Sequence, residues 1–233
     1  MEEILREGLK ALGLSADGEA IDRFRRYYDY LQERNAVMNL TAIKGAEDTA
    51  RLHFLDCCAL LGAADFKGRR VIDVGTGAGF PGLPLKIMEP GMRLTLLDSQ
   101  EKRMNFLREV CGLIGIGDVD CVTARAEEPP PALRAGFDIA VSRAVARLCV
   151  LCELCLPFVD IGGLFIAMKG PDCGEEIAEA QKAIEVLGGE YQQTFFYTIP
   201  GTEIRHAAVI IKKICETPRI YPRRWAKIAK QPL

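Results

Sequence analysis

Three glycines at alternate positions follow a short apolar run that carries an acidic residue. The run is Val71–Val74 with Asp73 inside it, and the glycines are Gly75, Gly77 and Gly79. This pattern predicts a buried strand that turns sharply into a helix, because glycine tolerates positive φ and, lacking a Cβ, lets the backbone approach a ligand closely. The stretch therefore predicts a crevice for a nucleotide-like molecule at the carboxyl end of a central parallel strand.

Two kinds of ligand fit these glycines. Counted from Gly77, the stretch Gly77-Ala-Gly79-Phe80-Pro-Gly82 fits the G-x-G-x-x-G fingerprint, in which a pyrophosphate lies at a helix N-terminus. Counted from Asp73, it resembles the first motif of class I S-adenosylmethionine (AdoMet) methyltransferases. The carboxylate favours AdoMet, because it accepts from an ammonium group, directly or through water, and repels a pyrophosphate. A tight turn without a ligand is the third alternative.

Two further acidic positions follow predicted strands. Asp98 ends one strand 19 residues after Gly79, where a carboxylate can hydrogen-bond both ribose hydroxyls of either ligand. Ala126 and Glu127 lie beyond the predicted strand Val119–Thr123. In class I methyltransferases a backbone N–H here meets adenine N1 and a carboxylate accepts from the N6 amine. An acidic loop without a ligand is the alternative for this segment.

The next predicted strand ends on Ser142-Arg143-Ala144, where the methyl group lies in a doubly wound fold. Exocyclic-amine methyltransferases carry an Asn/Asp-Pro-Pro-aromatic motif here and cytosine-C5 enzymes a Pro-Cys nucleophile, and this sequence has neither. An acceptor with a neutral lone pair, such as guanine N7, needs no base, so catalysis would depend on positioning and electrostatics. We expect Arg143 to orient the methionine carboxylate or guanine O6 and N7.

Hydrophobic spacing predicts the elements that position these residues. Residues 1–64 are predicted to be a helical cap, in which His53 and Asp56 share a helix face. They are either a substrate-contacting pair or, as we favour, an Asp-oriented histidine that anchors the cap. Lys169 either contacts a phosphate or only ends a strand. The other predicted elements are a helix starting near Phe80, a strand over 92–98, a helix over 100–113 capped by Ser99, a helix over 144–157, a strand over 164–169, a helix over 174–187 and a hairpin of strands 191–199 and 207–213.

Composition indicates one globular α/β unit. Hydrophobic residues make up 49% of the 233 residues, and the net charge is −2. An apolar run long enough to cross a membrane and a signal peptide are both missing from the sequence, so we expect a cytoplasmic protein. The nine cysteines are expected to be buried thiols. The spacing Cys149-x-x-Cys152-x-x-Cys155 turns around a helix axis, so no metal site is expected.

The last stretch of the chain is basic. Residues 212–233 carry seven basic residues and one acidic residue, together with Tyr221 and Trp225. Positive charge binds phosphates and aromatic rings stack on bases, so we favour RNA contact over a merely solvated tail.

Seven motifs stand in order: Asn39-Leu-Thr41, Arg51-Leu-His53-Phe-Leu-Asp56, Asp73-Val-Gly-Thr-Gly-Ala-Gly-Phe-Pro-Gly82, Leu97-Asp98-Ser99 with Lys102-Arg103, Ser142-Arg143-Ala144, Lys169-Gly170 and Arg205-His206. This set resembles the RsmG (GidB) family of bacterial 16S ribosomal RNA guanine-N7 methyltransferases, over nearly the whole chain. At the tail, Trp225-Ala-Lys-Ile departs from the family's Gly/Pro-containing continuation.

The resemblance implies a class I AdoMet-dependent methyltransferase fold, which is Rossmann-like α/β with a seven-stranded, mostly parallel sheet and an N-terminal helical cap. The expected units are the cap (1–64), the AdoMet-binding domain (65–214) and the basic tail (215–233). By the family pattern, AdoMet would be held by Gly75, Phe80, Ala126, Glu127 and Arg143.

The implied reaction is N7 methylation of guanine 527 in 16S rRNA, as naked RNA or in the 30S particle. We expect a monomer that needs no metal and no membrane. Two other classes stay open. Gly77–Gly82 would also suit an NAD-dependent oxidoreductase, although the sequence offers no evident hydride-transfer acid or base. A non-catalytic AdoMet-sensing or RNA-binding module would share the methyltransferase motifs.

Replacing the predicted ribose ligand should weaken AdoMet binding. We expect Asp98→Ala to lower the affinity by about 1–3 kcal/mol, because charge-assisted hydrogen bonds are lost. Isothermal titration calorimetry with AdoMet measures this. Unchanged affinity in a folded variant would show that the ribose contact is misplaced.

Overall fold

The computed structural model describes residues 1–143 and 146–233. Its centre is a seven-stranded sheet. The strands are β1 (Arg70–Val74), β2 (Arg93–Asp98), β3 (Val119–Thr123), β4 (Phe137–Arg143), β5 (Val159–Lys169), β6 (Gly189–Thr198) and β7 (Arg205–Lys213).

The strand order is β3-β2-β1-β4-β5-β7-β6. The first five strands are parallel, and β7 pairs antiparallel with both β5 and β6. The order reverses between β1 and β4, and such a switch point opens a crevice at the carboxyl ends of the strands. The predicted mostly parallel sheet and the predicted pairing of the last two strands are both confirmed.

Helices cover both faces of the sheet, as the near-continuous burial of β1 and β2 requires. The helical elements are α1 (Glu2–Ala11), α2 (Gly18–Met38), α3 (Ala46–Thr49), a π-helical turn (Ala50–Leu55), α4 (Asp56–Cys58), a 3₁₀ turn (Ala59–Gly62), α5 (Gly82–Met88), α6 (Glu101–Ile114), a 3₁₀ turn (Pro131–Leu133), α7 (Leu148–Cys155), a 3₁₀ turn (Leu156–Phe158), α8 (Gly174–Val186) and α9 (Trp225–Lys230).

The two faces have separate cores. One core joins the N-terminal helices, α5 and α6 to the sheet, and the other joins α7, α8 and α9 to it. The cap therefore shares its hydrophobic core with the sheet. In the described part of the chain, no helix is long and apolar enough to cross a membrane.

Three element predictions need correction. The helix after the glycines begins at Gly82, not Phe80, because Pro81 is its N-cap residue. Ser99 does not cap α6. Asp98 does so instead, by accepting from the backbone N–H of Gln100 at 2.9 Å. The helix predicted over 144–157 is observed over Leu148–Cys155, and Ala144 lies outside the described residues.

A buried ion pair fixes the C-terminal segment to α7. Glu153 is fully buried in that helix. Its Oε1 accepts from the backbone N and from Nε of Arg223, both at 2.8 Å, and its Oε2 accepts from the terminal guanidinium at 2.6 Å. Such a pair contributes little net stability against an apolar replacement, but losing one partner leaves a costly buried charge.

Removing the arginine of this pair should destabilise the fold strongly. We expect Arg223→Ala to lower the free energy of unfolding by about 3–5 kcal/mol, because the Glu153 carboxylate stays buried without a partner. Urea denaturation measures the loss. The control is Arg147→Ala, which breaks the exposed pair between Arg147 and Glu179 and should cost below about 1 kcal/mol. Equal losses in both variants would contradict the prediction.

Candidate AdoMet-binding site

The glycine turn is attached to the tip of the neighbouring strand. Gly75 N and Thr76 N both donate to the carbonyl of Leu97, at 2.8 and 3.2 Å, and Gly77 N donates to Asp98 Oδ2 at 3.1 Å. Gly75 and Gly77 have φ of +74° and +59°, which explains the glycines. The turn thus connects β1 to β2 at the carboxyl edge of the sheet.

Asp73 holds the turn closed from below. Its Oδ2 accepts from the Thr76 hydroxyl at 2.7 Å and from Gly82 N at 2.8 Å. Its Oδ1 is buried and has no hydrogen-bond partner among residues 1–143 and 146–233. Burial raises the pKa of this carboxyl to about 6, although both hydrogen bonds oppose the shift. The predicted contact with the AdoMet ammonium group is untested, and the carboxylate has an evident structural task.

Gly79 and Phe80 face the cap. A Cβ on Gly79 would lie 2.6 Å from the Tyr27 hydroxyl, and that hydroxyl donates to the carbonyl of Ala78. The Phe80 ring stacks on His53 with centroids 4.2 Å apart. The third glycine is therefore explained by close packing against α2, and the predicted ligand contacts of Gly79 and Phe80 stay predictions.

A pocket of about 360 Å³ opens beside the turn, at the tips of β1, β2, β3 and β4. Its volume suits a small-molecule ligand. The lining residues are Val74, Gly75, Leu97, Asp98, Ser99, Arg103, Ala124, Arg125, Ala126, Glu127, Arg143, Leu154 and Trp225. The structure thus brings together five predicted site residues, namely Gly75, Asp98, Ala126, Glu127 and Arg143. Asp73, Gly77, Gly79 and Phe80 are not in the lining.

The acidic residues of the pocket sit at two strand ends, as the sequence predicted. The side chain of Asp98 is almost buried, and besides Gly77 and Gln100 it pairs with Arg103 at 3.1 Å. The side chain of Glu127 is 7% exposed and its Oε1 lies 3.4 Å from Arg125. The pocket therefore offers acceptors for hydroxyl and amine donors at its two ends.

Arg143 points its terminal nitrogens at the cap. One donates to the carbonyl of Leu52 and to Asp56 Oδ2, both at 3.2 Å, and the other donates to His53 Nδ1 at 2.8 Å. The guanidinium also lies 4.8 Å from the Phe80 ring centroid. A contact between Arg143 and the methionine carboxylate or the guanine is untested, and it would have to use Nε or replace a contact with the cap.

The arginine fixes the state of His53. Because a guanidinium only donates, His53 Nδ1 must accept, and Nε2 carries the proton toward the Thr41 hydroxyl at 2.8 Å. Burial and the Arg143 charge lower the pKa of His53 to about 3. This histidine is therefore neutral at physiological pH.

The predicted His53–Asp56 pair is wrong in its detail. Asp56 Oδ1 accepts from the Tyr197 hydroxyl at 2.9 Å and lies 2.8 Å from His206 Nδ1, on β6 and β7. This hydrogen bond raises the pKa of His206. The two cap residues meet through Arg143, so they anchor the cap as favoured, but by a different route. Sequence spacing gave no role to Tyr197, because it is 141 residues from Asp56.

Two other predicted features have structural explanations. Lys169 Nζ donates to the carbonyl of Ala146 at 2.7 Å and to Glu176 Oε1 at 2.8 Å, so it ties β5 to α8. The helix α7 buries Cys149, Cys152 and Cys155 as free thiols. Across the described residues, no group of three or more His, Cys, Asp or Glu side chains could hold a metal ion.

Neutralising Asp73 should change how stability depends on pH. A carboxyl whose folded pKa is raised from 3.8 to about 6 binds its proton more tightly when folded. The wild type should therefore lose up to about 3 kcal/mol relative to Asp73→Asn as the pH rises from about 4 to about 6, with no further change above that. Urea unfolding across this range measures the difference.

The control for this series is Asp172→Asn, at an exposed aspartate. It should leave the difference from wild type independent of pH. A D73N curve parallel to wild type would show that Asp73 does not carry this proton.

Comparisons with known proteins agree with the geometry. The family model for rRNA small subunit methyltransferase G (GidB) matches residues 20–206. The ribosomal RNA small subunit methyltransferase G of Alkaliphilus oremlandii is 47% identical, covering 100% of this chain and 99% of the relative. The protein of the same name from Acetivibrio thermocellus is 45% identical, covering 100% and 97%.

Solved structures share the fold at low identity. M. jannaschii TYW2 in complex with AdoMet superposes with a TM-score of 0.57 at 13% identity, over 74% of this chain and 80% of that one. The 16S rRNA (adenine(1408)-N(1))-methyltransferase from Catenulisporales acidiphilia gives 0.52 at 14% identity, over 70% and 93%. The class I AdoMet-dependent methyltransferase fold is thereby confirmed, and the chain belongs to the rRNA small subunit methyltransferase G (GidB) family.

Proposed function

We propose that this protein transfers the methyl group of AdoMet to N7 of guanine 527 in the 16S rRNA of the small ribosomal subunit. The observation that supports it is the pocket at the strand tips, which combines a glycine turn with acidic groups at two ends. Membership of the family supports the RNA substrate. The position and atom of the guanine rest on the family resemblance.

The pocket residues fit AdoMet better than a dinucleotide. Gly75 leaves the backbone bare at the β1 tip, Asp98 suits the ribose hydroxyls, and Ala126 and Glu127 suit the adenine edge. The buried, unpaired Asp73 Oδ1 adds negative potential beneath the turn. Carboxylates around the turn suit a cationic sulfonium ligand and disfavour a pyrophosphate, so the NAD alternative loses support.

The reaction needs no general base from the protein. Bound AdoMet supplies a sulfonium methyl, and the N7 lone pair attacks its carbon while the electron pair of the C–S bond passes to sulfur, with no proton leaving N7. The pocket residues therefore act by positioning the reactants and excluding water. The cation Arg143 lies at the β4 tip, where we propose that it holds the cap over the acceptor site.

The cap and the tail are proposed to form the RNA-binding sides of the site. Residues 1–64 meet the sheet edge through the Arg143 network, and the tail 215–233 presents the exposed cations Arg224, Lys227 and Lys230. Such charges contact phosphates. We propose the three units 1–64, 65–214 and 215–233 as functional segments of one cytoplasmic, monomeric, metal-free enzyme.

A methyl-transfer assay tests the proposal. The protein is incubated with AdoMet labelled in its methyl group and with small-subunit rRNA that lacks the native modification, as naked RNA and as 30S particles. We expect one label per RNA, at a guanine that becomes sensitive to borohydride and aniline cleavage, as N7-methylated guanosine is. Absence of label from both substrates would overturn the proposal, and saturable AdoMet binding without turnover would favour a non-catalytic module.

A conservative variant in the same assay tests the part of Arg143. Arg143→Lys keeps the charge but cannot bridge Leu52, Asp56 and His53 together. We expect kcat to fall by roughly 10²-fold with little change in AdoMet affinity. Wild-type kcat would remove Arg143 from the catalytic machinery.

A further inference from the structure

Trp225 stands in the wall of the AdoMet pocket, although it comes from the C-terminal segment. It is the chain's single tryptophan, and it shares the pocket lining with Ala126, Glu127 and Leu154. The residue is 44% exposed, so much of the indole is free to contact a ligand. An aromatic ring at the mouth of a nucleoside pocket offers a face for stacking.

The segment that carries Trp225 is fixed on both sides of it. Two residues before, Arg223 is held by the buried carboxylate of Glu153 through three hydrogen bonds. Three residues after, Ile228 is fully buried in the core that α7 and α8 share. With both flanks anchored, the indole is held in place as part of the pocket wall and little entropy is lost when a ligand meets it.

The position of the segment assigns the indole to one end of the pocket. Arg134 lies in the β3–β4 connection, and it donates to the carbonyls of Thr217 at 2.6 Å and Tyr221 at 2.8 Å. The same connection carries Ala126 and Glu127, the proposed adenine contacts. Ala126 also packs against the core that contains Ile228. The C-terminal segment therefore runs beside the adenine end of the pocket.

We propose that Trp225 is a wall of the adenosine subsite, so that the C-terminal segment helps to bind AdoMet. This rests on the proposed function. The segment thereby has two separate parts: the indole faces the cofactor, and the exposed cations beside it are left for RNA.

The single tryptophan makes the test direct. Wild-type protein is titrated with AdoMet while tryptophan fluorescence is recorded, and the affinity is measured independently by calorimetry. We expect saturable quenching with the same midpoint as the heat. Trp225→Ala should bind AdoMet roughly 5- to 100-fold more weakly, the usual effect of removing an aromatic ring stacked on a base. Trp225→Phe should keep most of the affinity.

Matched controls separate this proposal from a general effect. Ile220→Ala removes a 73% exposed apolar side chain of the same segment, outside the pocket, and should bind as wild type. Adenosine, used as a competitor of AdoMet, should lose the same factor in Trp225→Ala. Equal affinity of W225A and wild type, equal loss in W225A and W225F, or a loss confined to AdoMet and absent for adenosine would each overturn the assignment. A wild type that binds no AdoMet would overturn the proposed function as well.

Discussion

The buried carboxylate of Asp73 is the constraint on which the site depends. It joins the end of β1 to the first residue of α5, by accepting from the Thr76 hydroxyl and from the Gly82 amide. No Cβ is tolerated at Gly82, where it would lie 2.9 Å from that carboxylate. Holding an acid there is costly, since burial raises its pKa to about 6. The chain accepts that cost to keep the turn at the tip of the sheet in one conformation.

A second set of contacts ties the cap to this edge. Arg143 at the end of β4 reaches three acceptors in the cap, and Asp56 continues the connection to Tyr197 and His206 on the final strands. Four segments far apart in sequence therefore meet in one hydrogen-bonded cluster with a neutral histidine inside it. The cluster lies beside the pocket, so the cap cannot move relative to β4 without breaking charge-assisted hydrogen bonds.

Local sequence patterns predicted much of this fold, and long-range contacts explain what they missed. The apolar runs, the glycines and the acidic ends of β1 and β2 each depend on a few neighbouring residues, so strand positions and the pocket edge could be inferred. The helix start at Gly82 instead of Phe80 and the cap by Asp98 instead of Ser99 depend on which atom reaches which amide. The Asp56–Tyr197 and Glu153–Arg223 contacts join residues 141 and 70 positions apart, and no spacing rule reveals them. Gly79 shows the same limit, since α2 and not a ligand explains it.

The strand order itself has a further consequence for the cofactor pocket. Its walls are contributed by residues from Val74 to Trp225, so no contiguous fragment smaller than most of the chain contains the complete set. Heritable loss of activity should therefore arise from lesions dispersed over the coding sequence, and early and late truncations should be equally damaging. An organism under selection to discard this modification would thus find many single-step routes to do so.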